Sequence, residues 1–257
     1  MSDKRTEIEA RDLVGGLGKG LAIIEIFNET RQRMSISEAA ALTGLTRAAA
    51  RRYLLTLVHL GYAEFDGKYF SLTPRVMRLG HAYLAMNPLA KLLQPFVESI
   101  SRQIENPTTA AILDDTEVVY IARAAPPRIA SISLGVGSRL PAYCTSLGRV
   151  LLANAPEEWM EGYWRRAHLL PRTPKTRCTR HEIEQALAAV RELDYALIDE
   201  EIEMGLRSLA VPIRNTRGAV TAALTVTMHA SQITPEEMPN KLLPLMRPAQ
   251  ETMRQVP

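Results

Sequence analysis

SISEAAALTGLTRAAARRYLLTLVHLG, residues 35–61, is the stretch from which the rest of the chain is read. Ser37 stands where a helix N-cap belongs, Ala39 and Ala40 are small enough for close helix contact, and Gly44 supplies a left-handed turn residue. Thr46 then caps a following helix that runs to Leu60 and stops at Gly61. Along it Ala50, Leu54, Leu57 and Leu60 recur at helical spacing and face a core, which leaves Arg47, Ala48, Arg51 and Arg52 on other sides of the cylinder near its start. Two short helices joined by a glycine turn, the second with arginines outward, form the pattern of a helix-turn-helix, so double-stranded DNA is the first partner implied. Arg47 or Arg51 is placed to reach guanine O6 and N7, Ala48 keeps the surface low, and Arg52 suits a phosphate contact or a structural ion pair. Taken alone, the same helix also reads as an amphipathic segment with solvated arginines.

The flanks extend the pattern. Residues 17–28 carry Leu17, Leu21, Ile24 and Phe27 at helical spacing and predict a preceding helix. Residues 62–72 hold Tyr62, Phe65, Tyr69 and Phe70 around Asp66-Gly67, the preferred two-residue hairpin turn. A hairpin after the recognition helix makes a winged helix-turn-helix, with Lys68 at the wing tip able to reach a phosphate or the minor groove; the plainer reading is a structural hairpin. Charge agrees. Residues 1–80 hold 12 Lys and Arg against 9 Asp and Glu, whereas 81–257 hold 19 of each, so the net charge of +3 lies wholly in the first third. A local positive field is what a nucleic-acid module needs.

At 257 residues, with 46% of them apolar, the chain has material for two domains and no case for bulk disorder. It has no apolar run long enough for a membrane span, and residues 1–12 are charged, unlike a secretory signal. Cys144 and Cys178 are far apart with no Cys-x-x-Cys, which fits a reduced, cytoplasmic setting. Thr73-Pro74 opens a helix through Leu79 and Tyr83; a second runs from Leu89 with Pro95 as a kink. Beyond residue 108 strands are predicted at 109–113, 118–122, 129–134, 195–198, 208–213 and 219–228. Between them come helices at 146–154, after Pro156, behind a Thr179/Glu182 capping box, and after Thr234-Pro235. Strands in runs with single helices between them point to an α+β domain with an antiparallel sheet.

The nucleophile and phosphate motifs of common enzymes are absent, Gly135-Val-Gly137 reads as a turn, and the histidines lack metal spacing. Cys178 and His181 fall in what is more simply a helix cap, so no metal and no cofactor is expected. The acidic run at Asp199, Glu200, Glu201 and Glu203 could suggest acid–base work, but no nucleophile accompanies it and such runs are commonly solvated.

Three separated segments, 140–153 (LPAYCTSLGRVLLA), 199–214 (DEEIEMGLRSLAVPIR) and 222–227 (AALTVT), occur in the order found in the IclR family of bacterial transcriptional regulators, which the whole chain resembles. Segments 46–57 and 141–153 resemble the subgroup controlling aromatic-acid breakdown, the Pca and Pob regulators. The resemblance implies a winged helix-turn-helix over 13–74, a helical linker over 75–105 and a GAF-like effector domain over 106–257. It also implies a homodimer or tetramer on an operator and a small organic acid as effector. Family pocket positions fall on Ile132, Leu140, Ser146 and Leu147, and on Asp199, Ser208, Thr225 and Thr227, with Tyr143 beside them. Ser146 and Leu147 replace a smaller pair found in glyoxylate-type members, which disfavours a two-carbon acid. β-Ketoadipate, protocatechuate and 4-hydroxybenzoate are candidate effectors by resemblance only.

Elementary chemistry supports such a pocket. Thr145-Ser146-Leu147-Gly148 opens a helix whose free N–H groups and dipole can hold a carboxylate. Thr225 and Thr227, two apart on a strand, project to one face. Arg207 suits a counter-ion to the acid, or a partner for Asp199 or Glu201. The expectation is therefore a ligand-responsive, non-enzymatic transcriptional regulator. The alternatives are an enzyme on a small organic acid with a DNA-binding head, and a helix-turn-helix that serves only protein contacts.

Overall fold

Ser35, not Ser37, starts the helix-turn-helix. In the computed structural model, which describes residues 9–28, 30–86, 88–126 and 134–256 (backbone alone at 10, 82, 84 and 85), Ser35 caps α2 (Ile36–Thr43) in a capping box. Its hydroxyl accepts from the Glu38 amide at 3.3 Å while the Glu38 carboxylate accepts from the Ser35 amide at 2.7 Å. That backbone bond foremost, with a second from the Ser35 hydroxyl to the same carboxylate at 2.7 Å, holds the Glu38 carboxyl below its usual value. Ser37 lacks the glutamate three residues on that makes the box reciprocal.

The chain divides into two compact units, 1–86 and 87–257. In the first, α1 (Gly15–Glu25), α2 and α3 (Arg47–His59) enclose a core of Ile23, Ala39, Ala40, Ala50, Leu54 and Leu57, closed by Ala63 and Phe70. Gly44 takes φ 68° between α2 and α3, and Thr46 caps α3 by accepting from the Ala49 amide at 3.2 Å. Leu17 and Leu21 are 66% and 44% exposed, contrary to the face expected for α1. The contact is instead made by Gly16 and Gly20, over which the Tyr53 ring lies, one turn before buried Ile23. Small residues permit close helix approach there, and the leucines turn outward. Leu60 is likewise exposed because α3 ends at His59 and Leu60 is its C-cap.

The hairpin pairs β1 (Ala63–Phe65) with β2 (Phe70–Leu72), Phe65 facing Phe70, so its loop has four residues, 66–69, rather than two. The Asp66 carboxylate accepts from the amides of Lys68 and Tyr69 at 2.9 and 2.7 Å and closes the turn from its own side chain. Met34 pairs on the other edge of β2 by bonding Phe70 in both directions. The unit closes with α4 (Met77–Met86). Thr46→Ala should cost this unit about 1 kcal/mol by freeing the amide that Thr46 holds; thermal unfolding of the two proteins measures it.

The second unit is built on a six-stranded antiparallel sheet in the order β5-β4-β3-β8-β7-β6. The strands are β3 (Thr108–Asp114), β4 (Glu117–Ala124), β5 (Arg139–Pro141), β6 (Ala196–Asp199), β7 (Leu206–Arg214) and β8 (Val220–His229). The expected strand at 129–134 falls largely outside the described residues, and β5 is an addition to the strands expected. One face is covered by α5 (Pro88–Ile104) and α9 (Glu237–Met253), through Leu93, Val97, Ile100, Leu242 and Met246. The other carries α6 (Ser146–Ala153) and α8 (Arg180–Leu193), with α7 (Glu157–Arg166) beside them. Of the stretch 75–105, α4 thus lies in the first unit and α5 in the core of the second.

A bulge sits between β3 and β4, where Ala110 pairs with Ala122 but Ala111 pairs with Tyr120. Ile121 and Ala122 consequently both enter the α5/α9 core, while Tyr120 joins the α6 side. Gly148 seats α6: a Cβ there would come within 2.0 Å of the Ala142 carbonyl oxygen. No helix among the described residues is long and apolar enough to cross a membrane.

Candidate functional site

Two surfaces carry the chemistry, one in each unit. On α3 the buried stripe of Ala50, Leu54 and Leu57 fixes the roll of the helix, and Thr46, Arg47, Ala48, Arg51 and Arg52 are all exposed. The ion pairs among the described residues of this unit join Arg11 to Glu9 and Arg33 to Asp66, and none of those residues pairs a carboxylate with an arginine of α3. Arg52 thus has no ion-pair partner among the described residues, and three cations stand at the start of a capped helix. Lys68 stands exposed at the wing tip with its ammonium 5.0 Å from the centre of the Tyr69 ring, and Arg33 lies 5.3 Å over the same ring. Arg33, from the segment before α2, reaches the wing only because Met34 pairs with Phe70.

In the second unit a cavity of about 820 Å³ opens on the α6 side of the sheet. Leu140, Ser146, Leu147, Ser208, Thr225 and Thr227 line it together. Sequence places these residues up to 87 positions apart (140 to 227); the register brings them together, Ser208 facing Thr227 on β7 and β8 and Thr109 facing Thr225 on β3 and β8. Thr225, almost fully buried, donates to the Leu209 carbonyl oxygen at 2.9 Å and lies 2.9 Å from the Ser146 hydroxyl. Thr145 caps α6 by accepting from the Gly148 amide. Tyr120, Leu134, Ile202 and Met204 supply apolar wall, and Arg123 and Arg172 supply positive charge. Burial pushes the Tyr120 phenol up, so it stays neutral.

Three expected pocket residues lie elsewhere. Arg207 follows Leu206 and precedes Ser208, both on the cavity, so strand alternation turns it to the opposite face. There its guanidinium donates to Asp199 at 2.5 Å and to the carbonyl oxygens of Ala230 and Ile233 at 2.8 and 2.6 Å. Asp199 also holds Lys175 at 3.0 Å. Burial acts to raise the Asp199 carboxyl, yet the bonds from Arg207 and Lys175 hold it below its usual value. Tyr143 is buried, and its hydroxyl donates to the Leu170 carbonyl oxygen at 2.5 Å and accepts from the Leu170 amide at 3.2 Å. Ile132 lies outside the described residues.

A charge pair escapes a reading of the sequence alone. Arg149 in α6 and Glu201 after β6 are 2% and 6% exposed and 2.8 Å apart. Arg149 also donates to the Tyr143 carbonyl oxygen, and Glu201 also accepts from the Arg177 amide at 3.1 Å. Burial pulls the guanidinium below the ordinary arginine range. Far from being solvated, Glu201 anchors the turn that carries Ile202, Glu203 and Met204 to the cavity wall. Beside it, burial pushes the Cys144 thiol up to about 11, which leaves it protonated and unreactive.

Known proteins resemble the chain along nearly its whole length. Residues 16–67 match the IclR helix-turn-helix domain and residues 81–254 the bacterial transcriptional regulator IclR C-terminal family. The Pca regulon regulatory protein of Pseudomonas putida is 42% identical over 91% of this chain and 81% of its own. The p-hydroxybenzoate hydroxylase transcriptional activator of Acinetobacter baylyi is 38% identical over 96% and 93%. Among solved structures, an IclR homolog from Microbacterium hydrocarbonoxydans complexed with 4-hydroxybenzoate superposes with a TM-score of 0.75, 25% identity and coverage of 93% and 97%.

Proposed function

Since the chain belongs to the IclR family of bacterial transcriptional regulators, we propose that it controls a catabolic operon for aromatic acids and that an aromatic or related organic acid is its effector. The observation that carries this reading is the cavity: hydroxyls of Ser146, Ser208, Thr225 and Thr227 on one wall, Leu140 and Leu147 beside them, and arginines on the lining. An apolar slot with a few convergent polar groups and positive charge suits a small organic anion with a flat apolar body. The relatives that control Pca and p-hydroxybenzoate genes support the same ligand class.

Thr46, Arg47, Ala48, Arg51, Arg52 and Lys68 form the DNA-reading surface, with Arg47 and Arg51 on base edges and Arg52 and Lys68 on phosphates. The working form is a cytoplasmic homodimer or a pair of dimers on a pseudo-palindromic site, half-sites being spaced by the helical repeat of DNA. The acid binds without turnover and shifts the balance between two arrangements of the DNA-binding units, so operator and effector affinities are coupled reciprocally.

A thermal-shift panel of benzoate, 3- and 4-hydroxybenzoate, protocatechuate and β-ketoadipate tests this. The true effector at a hundred times its Kd should stabilise the protein by about 2.7 kcal/mol, a rise of roughly 5–10 °C in Tm for units of this size. The acid should be recovered unchanged. A flat response to the whole panel, or conversion of a bound acid to product, would overturn the proposal.

A further inference from the structure

The cavity has two chemically different ends, and from them we infer the direction in which the effector lies: its hydroxyl meets Ser146 and its carboxylate meets Arg123. This rests on the aromatic-acid reading above and adds the anion subsite, which the sequence had placed at the start of α6 or on Arg207.

Proton counting sets the Ser146 end. Thr225 has one hydroxyl proton, and it goes to the Leu209 carbonyl oxygen, which can only accept. The 2.9 Å contact between Ser146 and Thr225 must then use the Ser146 proton. Ser146 is left with lone pairs alone, and it lies on the cavity wall. A group meeting that oxygen must donate, as a phenol does; a carboxylate oxygen there would face another acceptor without a proton between them.

Charge sets the other end. Arg123 pairs with Thr109 across β4 and β3, and Thr109 pairs with Thr225 across β3 and β8. Arg123 is thus two strands from the Ser146–Thr225 contact, about 10 Å between Cα positions. Without the β4 bulge, Arg123 and Tyr120, three residues apart, would point to opposite faces; with it both line the cavity. The guanidinium lies 6.0 Å over the Tyr120 ring and spends one N–H on Thr109 at 3.2 Å. No carboxylate of the described residues pairs with it. Its remaining donors form the planar fork that a carboxylate accepts. Arg172, the other arginine on the lining, is exposed, so water screens it. Glu203, also exposed, adds negative charge to the same rim.

The test measures binding of 4-hydroxybenzoate, 3-hydroxybenzoate and their uncharged carboxamides to the wild-type protein, Arg123→Gln and Arg172→Gln, by calorimetry. Wild type should prefer each acid to its amide by about tenfold or more, the value of a hydrogen-bonded charge contact. Arg123→Gln should lose most of that preference by weakening the acid and leaving the amide nearly unchanged, while Arg172→Gln keeps it. Unaltered amide binding also shows that the variant is folded. Retention of the full preference in Arg123→Gln would overturn the inference and put the carboxylate at α6; its loss in Arg172→Gln alone would move the subsite there. If neither acid binds wild type, this inference fails for want of a hydroxybenzoate effector, while the aromatic-acid reading is overturned only if the whole thermal-shift panel is also flat; both outcomes are distinct from binding that ignores Arg123.

Discussion

Arg47→Ala combined with Arg51→Ala is expected to erase most of the discrimination between operator and unrelated duplex while the protein stays folded. Both side chains are exposed on α3, and neither has a carboxylate partner among the described residues. Alanine is an excellent helix former, so stability should move by no more than about 0.5 kcal/mol. A bidentate arginine–guanine contact contributes about 1–3 kcal/mol of discrimination. Two per half-site, doubled by a dimer, bring the expected loss to a hundredfold or more. Arg52→Ala should behave differently. Removing a cation from a phosphate weakens binding to every sequence alike and lowers the salt slope by about one for each phosphate no longer neutralised. Titrating operator and scrambled duplex at several salt concentrations separates the two. If the double variant retains the wild-type ratio of operator to scrambled affinity, α3 is not the reading helix.

The second large effect concerns Arg149. Arg149→Met fills the same space without charge and strands the Glu201 carboxylate in a place where it is 6% exposed. Breaking one side of a buried pair costs about 3–5 kcal/mol, and the Arg177 amide at 3.1 Å with its half-exposed guanidinium at 3.8 Å offsets only part of that. For a protein of this size that lowers Tm by roughly 10 °C. Arg149→Met with Glu201→Gln should recover part of the loss, because neither buried charge then remains. Effector binding should fall in the single variant beyond what stability explains, since Glu201 holds the turn bearing Ile202 and Met204. Equal stability of the single variant and wild type would show that the pair contributes nothing.

The parts of the fold readable from residues alone are those set within one helical turn. The Thr46 cap and the Thr179/Glu182 capping box each close hydrogen bonds over three residues, and Gly44 supplies the left-handed turn between α2 and α3. Even there, the errors are informative. Ser37 and Ser35 compete for the same role, and only the reciprocal bond with Glu38 decides it. Leu17 and Leu21 satisfy helical periodicity yet face outward, because a glycine face can approach Tyr53 more closely than a leucine face. The wing turns on Asp66 as expected but with four residues, since its carboxylate takes two amides at once.

The cavity divides along the same line. Ser146, Ser208, Thr225 and Thr227 stand out through a resemblance and through strand alternation, and they do share one wall. Arg207 does not join them because alternation puts it on the face opposite Ser208. Arg123 is hidden from a reading of the sequence because its orientation depends on one extra residue in β4, invisible to a period-two count. Arg149 sits in a run reading as apolar helix, and Glu201 in a run reading as solvated acid; their 52-residue separation hides that each neutralises the other.

By itself, then, the amino-acid order determined the helix-turn-helix, the outward arginines of its second helix and the antiparallel α+β body. Backbone hydrogen bonds and side-chain periodicity over a few residues suffice for those. Tertiary structure alone decided which arginine meets the cavity, which acid is buried, and which helix face is covered. Those outcomes depend on strand register and on shape fit between segments far apart in the chain, where the free energy belongs to the assembled core and to no single segment of it.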